Sequence, residues 1–425
     1  MAKFLHIADI HLGFDRYDSR ERTKDFFLAL QDVLHRHALE EQVDFVLIAG
    51  DLFEHRTIQP ATLNQAQLCL QDLKDAGIPV LAIEGNHDNR PYGTRTSWLK
   101  YLSEWGLLKL LEPGDVAAGE PFYFPWDEAS RRGGYLDLSC GVRVLGSSWY
   151  GAAAPKAIEQ IAAAITALPP GPEHTVLMFH HGLEGQIARY SGALRYADLL
   201  PLKEAGVEYL ALGHIHKQYS MENWIFNPGS LEANNVEESG YQRGAYLVEM
   251  NSQGVQADLK TDYYQRPIVR LSLTLRGQES QEEVAQAAAD EVAGAIASGA
   301  LNPEQAPLVE LRIEGQAGFD RLDLDLRQLQ AALQKQSGAL IFLLKYDVEA
   351  VAYSTPLSEL ASRIQIEESI FTDLLAAHRD YKGRAAALAK GLMDLKERQL
   401  TGATEPDLYE FVQALLVGNP PEDSQ

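Results

Sequence analysis

The chain has 425 residues, of which 46% are hydrophobic and 23% charged, a composition typical of a soluble globular protein with two or three domains. Two cysteines, Cys69 and Cys140, are too few for a disulfide framework, so we expect a reducing, cytoplasmic location. The apolar runs are too short to span a bilayer, and no membrane contact is expected. The net charge of −23 argues against nucleic-acid binding unless bound metal ions or a partner subunit supply positive charge.

Short apolar segments alternate with amphipathic segments through residues 1–265. This pattern predicts strands at residues 4–8, 44–49 and 79–84, with helices at residues 22–41 and 61–76 between them. Later strands are predicted at residues 143–147, 175–179, 209–212, 224–226 and 245–250. The β-α-β-α-β order indicates the α/β fold class, with a largely parallel sheet that carries helices on its faces.

A second region is predicted to begin near residue 266. Residues 266–350 alternate strands and helices again, which indicates a small α/β domain. Residues 355–418 are predicted to be helical, and residues 419–425 to form a disordered tail. The helical region carries an apolar face that includes Ile364, Ile370 and Leu374. This face has three interpretations: it packs on its own domain, it forms a self-dimer, or it docks on the helices of a partner.

Polar motifs follow the predicted strands at the edge where open α/β sheets bind ligands. They are Asp9-Ile10-His11, Gly50-Asp51, Gly85-Asn86-His87-Asp88, His180-His181-Gly182 and Gly213-His214-Ile215-His216. Each motif alone is a weak signal, but all five in order after predicted strands are unlikely to arise by chance. Their carboxylate, imidazole and amide groups suit Mn²⁺, Fe²⁺ or Zn²⁺, and two such ions support hydrolysis at phosphorus.

This set of motifs resembles the calcineurin-like metallophosphoesterase superfamily. Residues 8–13, 50–53, 213–216 and 227–230 are similar, more narrowly, to the SbcD family. Members of that family are nuclease subunits that pair with a coiled-coil ABC-type ATPase, SbcC, in double-strand-break repair. The resemblance in motifs covers residues 1 to about 250 and implies sheet layers flanked by helices. In position and size, residues 266–350 match the family's capping domain, and the helical region matches its ATPase-binding region in position and character.

The resemblance also implies roles for individual residues. One divalent ion, Mn²⁺ by preference, would be held by Asp9, His11, Asp51 and His216. A second ion would be held by Asp51, Asn86, His180 and His214, with Asp51 bridging the two. His87 would stabilise charge at the phosphate or protonate the leaving oxygen, and Asp88 would orient His87. A homodimer is expected from the family.

Two positions depart from the family pattern. His180 is followed by His181, where many relatives have Gln, so the ligand is assigned to His180 with His181 as the alternative. Some relatives place a His directly after Gly-Asp-Leu-Phe to steer the phosphate for exonuclease action. This chain has Glu54 there, which leaves the polarity and efficiency of an exonuclease open.

Loop residues that follow the motifs are candidates for DNA contact, with ordinary solvated loop residues as the equal alternative. They are Arg16, Tyr17, Arg90, Arg95, Arg189 and Tyr190. A manganese-dependent DNA exonuclease or endonuclease is the leading hypothesis. A phosphatase or nucleotide phosphodiesterase for small phosphoesters is the alternative, which the acidic charge favours. An assembly subunit without catalysis is disfavoured, because no metal ligand is missing from the motifs.

Overall fold

The computed structural model describes residues 1–187, 192–319, 321–350, 362–376 and 381–417. The chain divides into two compact units, Met1–Arg266 and Pro267–Gln425. Arg189, Tyr190, the first residues of the predicted helical region and the predicted disordered tail at 419–425 lie outside the described residues.

Two six-stranded sheets form the centre of the described part of the first unit. The first sheet has the order β12-β11-β1-β2-β3-β4, and the second has the order β5-β6-β7-β8-β10-β9. The strands are β1 Ala2–Ile7, β2 Phe45–Ile48, β3 Val80–Ala82, β4 Lys109–Leu110, β5 Tyr135–Asp137, β6 Val142–Leu145, β7 His174–His180, β8 Tyr209–Gly213, β9 Tyr219–Met221, β10 Ile225–Asn227, β11 Ala245–Asn251 and β12 Gly254–Lys260.

Each sheet has a parallel centre with antiparallel strands at its margins. Strands β1 to β4 are parallel, whereas β11 runs antiparallel to both β1 and β12. In the second sheet, β6, β7, β8 and β10 are parallel, and β5 and β9 pair antiparallel at the two edges. The α/β class and the sheet layers flanked by helices are confirmed, whereas the local pattern by itself predicted a single, largely parallel sheet. Strands buried on both faces show the same apolar pattern in one sheet or in two.

Aromatic and aliphatic side chains fill the space between the two sheets. Phe4 of β1 stacks on Phe45 of β2 at 4.7 Å between ring centroids and meets Tyr209 of β8 edge to face at 5.2 Å. Tyr209 in turn stacks on Phe226 at 4.5 Å. Such pairs contribute about 0.5–1.5 kcal/mol each beyond the burial of their area. This inner core holds the two sheets, and therefore their carboxyl ends, in a fixed relation.

Helices cover the outer face of each sheet. They are α1 Arg20–Leu34, α2 Pro60–Asp75 and α3 Trp98–Glu104 on the first sheet, and α4 Ala154–Thr166 and α5 Tyr196–Glu204 on the second. The Ser19 hydroxyl caps α1 by accepting a hydrogen bond from the Arg22 amide. Pro60 opens α2, where the missing N–H is harmless. Their apolar faces, such as Phe26, Leu30 and Val33 of α1, are buried.

The second unit contains a three-stranded parallel sheet in the order β13-β14-β15. Its elements are β13 Ile268–Arg276, α6 Gln281–Ala297, β14 Leu308–Ala317, α7 Leu326–Ser337 and β15 Ile341–Ala350. Three further helices follow, α8 Arg363–Ala376, α9 Ala385–Leu400 and α10 Glu405–Val417. Leu388 and Ala389 of α9 are buried, whereas Ile364, Ile370 and Leu374 of α8 are 51–66% exposed. Among the described helices, none is long and apolar enough to cross a membrane.

Candidate metal centre

Residues that follow strand ends of both sheets meet in one cluster. Asp9 and His11 follow β1, Asp51 follows β2, Asn86 follows β3, His180 ends β7, and His214 and His216 follow β8. Asp9, His11, Asp51 and His214 have positive φ values of 51°, 52°, 54° and 82°, a conformation that residues other than glycine rarely adopt. The tight turns it produces point side chains from separate strands towards a common point.

Glycines beside these residues leave room for the cluster. A Cβ on Gly50 would lie 2.3 Å from His180 Nδ1, and a Cβ on Gly85 would lie 2.1 Å from Asp51 Oδ1. Both distances are far below van der Waals contact. The glycines therefore allow the backbone to approach the side chains of the cluster, which no other residue type would permit here.

The first group of possible ligands is Asp9, His11 and His216. One ligand atom from each lies within 4.8 Å of the others. The Nε2 atoms of His11 and His216 are 3.2 Å apart. The Asp9 carboxylate accepts from the His214 backbone N–H at 2.9 and 3.0 Å, and burial raises the pKa of Asp9. Two imidazole nitrogens and a buried carboxylate thus converge on one point.

The second group is Asp51, His180 and His214, again within 4.8 Å of one another. His180 Nδ1 donates to the Ala49 carbonyl at 2.7 Å, and His180 Nε2 lies 3.1 Å from Asp51 Oδ2. Burial opposes a charge on His180, but the Asp51 carboxylate outweighs it and raises the pKa of His180 to about 9. Asn86 Oδ1 lies 2.8 Å from His214 Nδ1 and 3.3 Å from His180 Nε2, so the amide joins this group.

These two groups fit divalent metal ions. Their atoms are imidazole nitrogens and carboxylate or amide oxygens without sulfur, a donor set that suits Mn²⁺, Fe²⁺ and Zn²⁺. The facing Nε2 atoms of His11 and His216 would repel each other through their lone pairs unless a proton or a cation lay between them. The bridging role predicted for Asp51 stays a prediction, because Asp51 enters only the second group.

His87 lies beside both groups. Its backbone N–H donates to Asp51 Oδ1 at 2.8 Å, and its ring meets the His11 ring edge to face at 4.9 Å. Its Nδ1 lies 2.7 Å from the Glu54 carbonyl oxygen. Since a carbonyl only accepts, Nδ1 carries a proton, and Nε2 remains as the ring atom able to exchange a proton with a substrate.

Residues 2–218 match the sequence profile of the family described as calcineurin-like phosphoesterase. The chain belongs to this family. The matched segment contains all seven predicted metal ligands and His87, so the phosphoesterase cluster and the family profile cover the same part of the chain.

Curated archaeal proteins named DNA double-strand break repair protein Mre11 are similar to this phosphoesterase. The Archaeoglobus fulgidus protein is 31% identical over 246 residues, which is 56% of this chain and 52% of that protein. The Saccharolobus solfataricus protein is 31% identical over 59% of this chain and 61% of its own length. The Methanosarcina acetivorans protein is 26% identical over 85% of this chain and 55% of its own length. The chain thus spans between about half and three fifths of these relatives.

The structure corrects the role predicted for Asp88 in the phosphoesterase. The buried Asp88 carboxylate accepts hydrogen bonds from the backbone N–H groups of Leu52, Phe53 and Gly85 at 3.0–3.2 Å. His87 is oriented instead by the Glu54 carbonyl. Asp88 therefore acts on His87 only indirectly, by holding the loop that carries Glu54. The sequence alone could not show this, because a neighbouring carboxylate looks like the natural partner of a histidine.

Both ring nitrogens of His181 contact backbone carbonyl oxygens. Its Nδ1 lies 3.1 Å from the Gly182 carbonyl oxygen and its Nε2 lies 3.2 Å from that of Gly151. His180, by contrast, belongs to the second group. The Trp149 ring stacks on His181 at 5.7 Å and lies 5.0 Å from His214, a contact that no motif predicted. A partly buried tryptophan of a loop beside the cluster gives no sequence signal of its own.

The described candidates for DNA contact, Arg16, Tyr17, Arg90 and Arg95, lie in loops after β1 and β3. Arg16, Arg90 and Arg95 are exposed, and Tyr17 is half-buried, with burial raising its pKa. The structure adds one pair that the sequence analysis did not single out. The Arg56 guanidinium lies over the Tyr92 ring at 5.4 Å, and Tyr92 is 92% exposed.

Proposed function

We propose that this phosphoesterase is a DNA nuclease, an exonuclease or endonuclease that hydrolyses phosphodiesters in double-strand-break repair with two bound divalent ions. The observation that carries the proposal is the convergence of two groups of metal ligands next to His87. The similarity to proteins named for DNA double-strand break repair supports DNA as the substrate.

In this proposal Asp9, His11, Asp51 and His216 hold one ion, and Asp51, Asn86, His180 and His214 hold the other. Mn²⁺ is the preferred ion, since it accepts both carboxylate and imidazole ligands. Two bound ions supply a nucleophile from water at neutral pH and neutralise the charge that develops on the phosphate. The fit rests on two sets of three residues, in each of which one nitrogen or oxygen atom per residue lies within 4.8 Å of the others: Asp9, His11 and His216, and Asp51, His180 and His214.

His87 is the proposed catalytic residue that transfers a proton. With Nδ1–H held by the Glu54 carbonyl, the protonated ring donates its Nε2 proton to the leaving oxygen of the phosphodiester as the P–O bond breaks. The DNA strand is thereby cut into two fragments: the leaving fragment ends in a hydroxyl group, and the other fragment retains the phosphate. Holding the ring at Nδ1 reduces the rotation that would misdirect the proton.

The proposed partners are DNA, a second copy of this chain in a homodimer, and an SbcC-type coiled-coil ABC ATPase that binds the C-terminal helices. Ile364, Ile370 and Leu374 of α8 are exposed apolar residues, which suit contact with an apolar helix surface. A basic ATPase subunit would also offset the net charge of −23 during DNA binding. We place the complex in the cytoplasm.

The test is cleavage of end-labelled linear duplex DNA with Mn²⁺, resolved on a denaturing gel. We expect shortened products from the wild type, loss of cleavage with His87→Ala or a chelator, and normal cleavage with His35→Ala. His35 is a suitable control because its side chain is 64% exposed. The assay is repeated with the ATPase subunit, and no cleavage in either case would overturn the proposal.

The acidic charge favours a second candidate, a phosphatase or nucleotide phosphodiesterase for small phosphoesters. Parallel assays with p-nitrophenyl phosphate and bis-p-nitrophenyl phosphate separate the two. Turnover of these esters that depends on His87, without cleavage of DNA, would assign the small-substrate activity instead.

A further inference from the structure

Two glutamates lie behind the two histidines of the first ligand group. His11 Nδ1 is 2.7 Å from Glu54 Oε2, and His216 Nδ1 is 3.1 Å from Glu238 Oε1. On the opposite side of each ring, the two Nε2 atoms face each other at 3.2 Å. Each imidazole is therefore placed between a carboxylate and the point where Asp9 converges.

The two glutamate contacts differ in alignment. Glu238 is hydrogen bonded to His216, and it is itself held by the Asn234 backbone N–H and the Asn235 side-chain amide, each at 2.9 Å. Glu54 Oε2 and His11 Nδ1 are at ion-pair distance without hydrogen-bond alignment, and neither atom has a hydrogen-bond partner among the described residues. Both atoms are buried, which leaves each as the other's nearest partner.

A carboxylate next to Nδ1 selects the ring form with a proton on that nitrogen. Nε2 then carries a lone pair, which is the form that binds a metal ion. The negative charge of the glutamate also makes the ring a stronger donor. In His216 the atom left for the metal is thus the one that faces Asp9, and the ion-pair contact of Glu54 with His11 Nδ1 favours the same arrangement there. His11, Glu54 and His87 also lie close enough together to form a third group of possible ligands.

The second group has different support. His180 Nδ1 donates to the neutral Ala49 carbonyl, and His214 Nδ1 faces the neutral Asn86 amide oxygen. Asp9 lies in the first group and Asp51 in the second, and each carboxylate also acts on a histidine of the other group, whereas Glu54 and Glu238 lie behind the two histidines of the first group. A divalent cation gains more Coulomb energy where more anions surround it.

Resting on the proposed function, we propose that Glu54 and Glu238 are positioning residues that make the His11–His216 position the tighter of the two metal positions and the first to fill. Neither glutamate needs to contact the ion. Each acts through its histidine, by orienting the ring and by increasing its basicity.

The test is a Mn²⁺ titration of the full-length metal-free protein, followed by calorimetry and by electron paramagnetic resonance. The variants are Glu54→Gln, Glu238→Gln and their combination, with Glu237→Gln, on an exposed neighbour of Glu238, as the control. We expect the wild type to bind one ion tightly and a second more weakly. Each glutamine variant should weaken the tight phase roughly 10- to 100-fold and leave the weaker phase nearly unchanged. Glu237→Gln should match the wild type.

A merely structural role would show itself differently. It would lower the melting temperature of the metal-free protein and weaken both phases together, and that result would overturn the inference. Unchanged binding in the variants would also overturn it, while the wild type could still cleave DNA. If the wild type bound two ions but did not cleave DNA, the proposed nuclease function would be overturned and the inference about the glutamates would stand. Fewer than two ions in the wild type would overturn both.

Discussion

Asp88 Oδ1 accepts a hydrogen bond from the Phe53 backbone N–H at 3.0 Å, which joins the turn after β3 to the loop after β2. The other oxygen of the same carboxylate accepts from Leu52 and Gly85. The carboxylate thus satisfies backbone N–H groups of both loops with hydrogen bonds to a single side chain. Burial and the nearby Asp51 charge raise the pKa of Asp88 to about 6, although these three bonds oppose the shift.

We predict that Asp88→Ala lowers both stability and activity. The substitution leaves three buried N–H groups without their acceptor, at about 1–3 kcal/mol for each group that water cannot reach. It also releases the Glu54 carbonyl from its place against His87. Urea unfolding measures the first effect and DNA cleavage the second. Asp72→Ala, at an exposed helical position, is the control, and equal stability of the two variants would contradict the assigned role.

We predict that Gly50→Ala and Gly85→Ala reduce both metal binding and stability, because Gly50 has a φ of +95° and a Cβ on Gly85 would lie 2.6 Å from the Asp51 backbone nitrogen. The added methyl groups would overlap His180 Nδ1 and Asp51 Oδ1, both in the second ligand group. The displaced ligands should weaken Mn²⁺ binding by at least about tenfold, which corresponds to about 1.4 kcal/mol. Gly240→Ala is the matched control, because a Cβ there meets nothing within 4 Å. Wild-type Mn²⁺ affinity in both test variants would show that the backbone can shift to accept them.

We predict that acid destabilises the fold through His6. The ring accepts from the Tyr209 hydroxyl and donates to the Leu212 carbonyl, and burial lowers the pKa of His6 from 6.5 to about 3. Between pH 6.5 and about 3, His6 therefore binds a proton in the unfolded chain but not in the folded chain. Stability from this group is complete above pH 6.5 and decreases as the pH falls towards 3, by roughly 1.4 kcal/mol per pH unit.

Urea unfolding at a series of pH values measures this effect. His6→Gln removes the titrating ring, so its stability should depend less on pH between 6.5 and 3 than that of the wild type. His35→Gln, at an exposed histidine, should follow the wild type. Parallel curves for wild type and His6→Gln would exclude His6 as the group responsible.

We predict a large loss of stability from Asp25→Ala. The fully buried Asp25 accepts from Arg22 at 2.9 Å, from Arg266 at 2.5 and 2.6 Å and from the Tyr264 hydroxyl at 2.7 Å. Removal of the anion leaves the buried Arg22 poorly compensated, which costs about 3–5 kcal/mol in comparable buried pairs. Thermal unfolding checks this, with the exposed Asp72→Ala as control. A loss below about 1 kcal/mol would mean that Glu232 alone compensates Arg22.

Local patterns predicted most long elements of the fold. The apolar pattern predicts a helix at residues 61–76, and α2 is Pro60–Asp75, with Pro60 at its start. The strands β4, β5, β9 and β12 and the helices α3, α4 and α5 were not predicted. For β4, β5 and β9 the reason is length, because two or three residues carry no measurable period. The pairing of β11 with β1 joins residues more than two hundred positions apart, which no local pattern contains.

The candidate site likewise contains residues that local motifs predicted and residues that only the fold brings there. Gly-Asp and Gly-Asn-His-Asp motifs are local, so the residues of both ligand groups could be proposed from sequence. Glu238 lies 22 residues beyond His216 in a loop without a motif, and only the fold brings them together. For Asp88 the sequence was misleading. Its position next to His87 predicted a contact with that ring, whereas its carboxylate accepts hydrogen bonds from buried backbone N–H groups of another loop.

The left-handed backbone at Asp9, His11, Asp51 and His214 has a consequence for protein engineering. Such conformations cost of order 1–3 kcal/mol each at residues other than glycine. A directed-evolution campaign that selects only for heat resistance would therefore favour glycine at His11 and His214, whereas at Asp9 and Asp51 glycine would also remove the acceptors of the His214 and His87 backbone N–H groups. The most thermostable clones would be those without these two histidine side chains. A screen for robust variants of this protein needs a metal-retention step in every round.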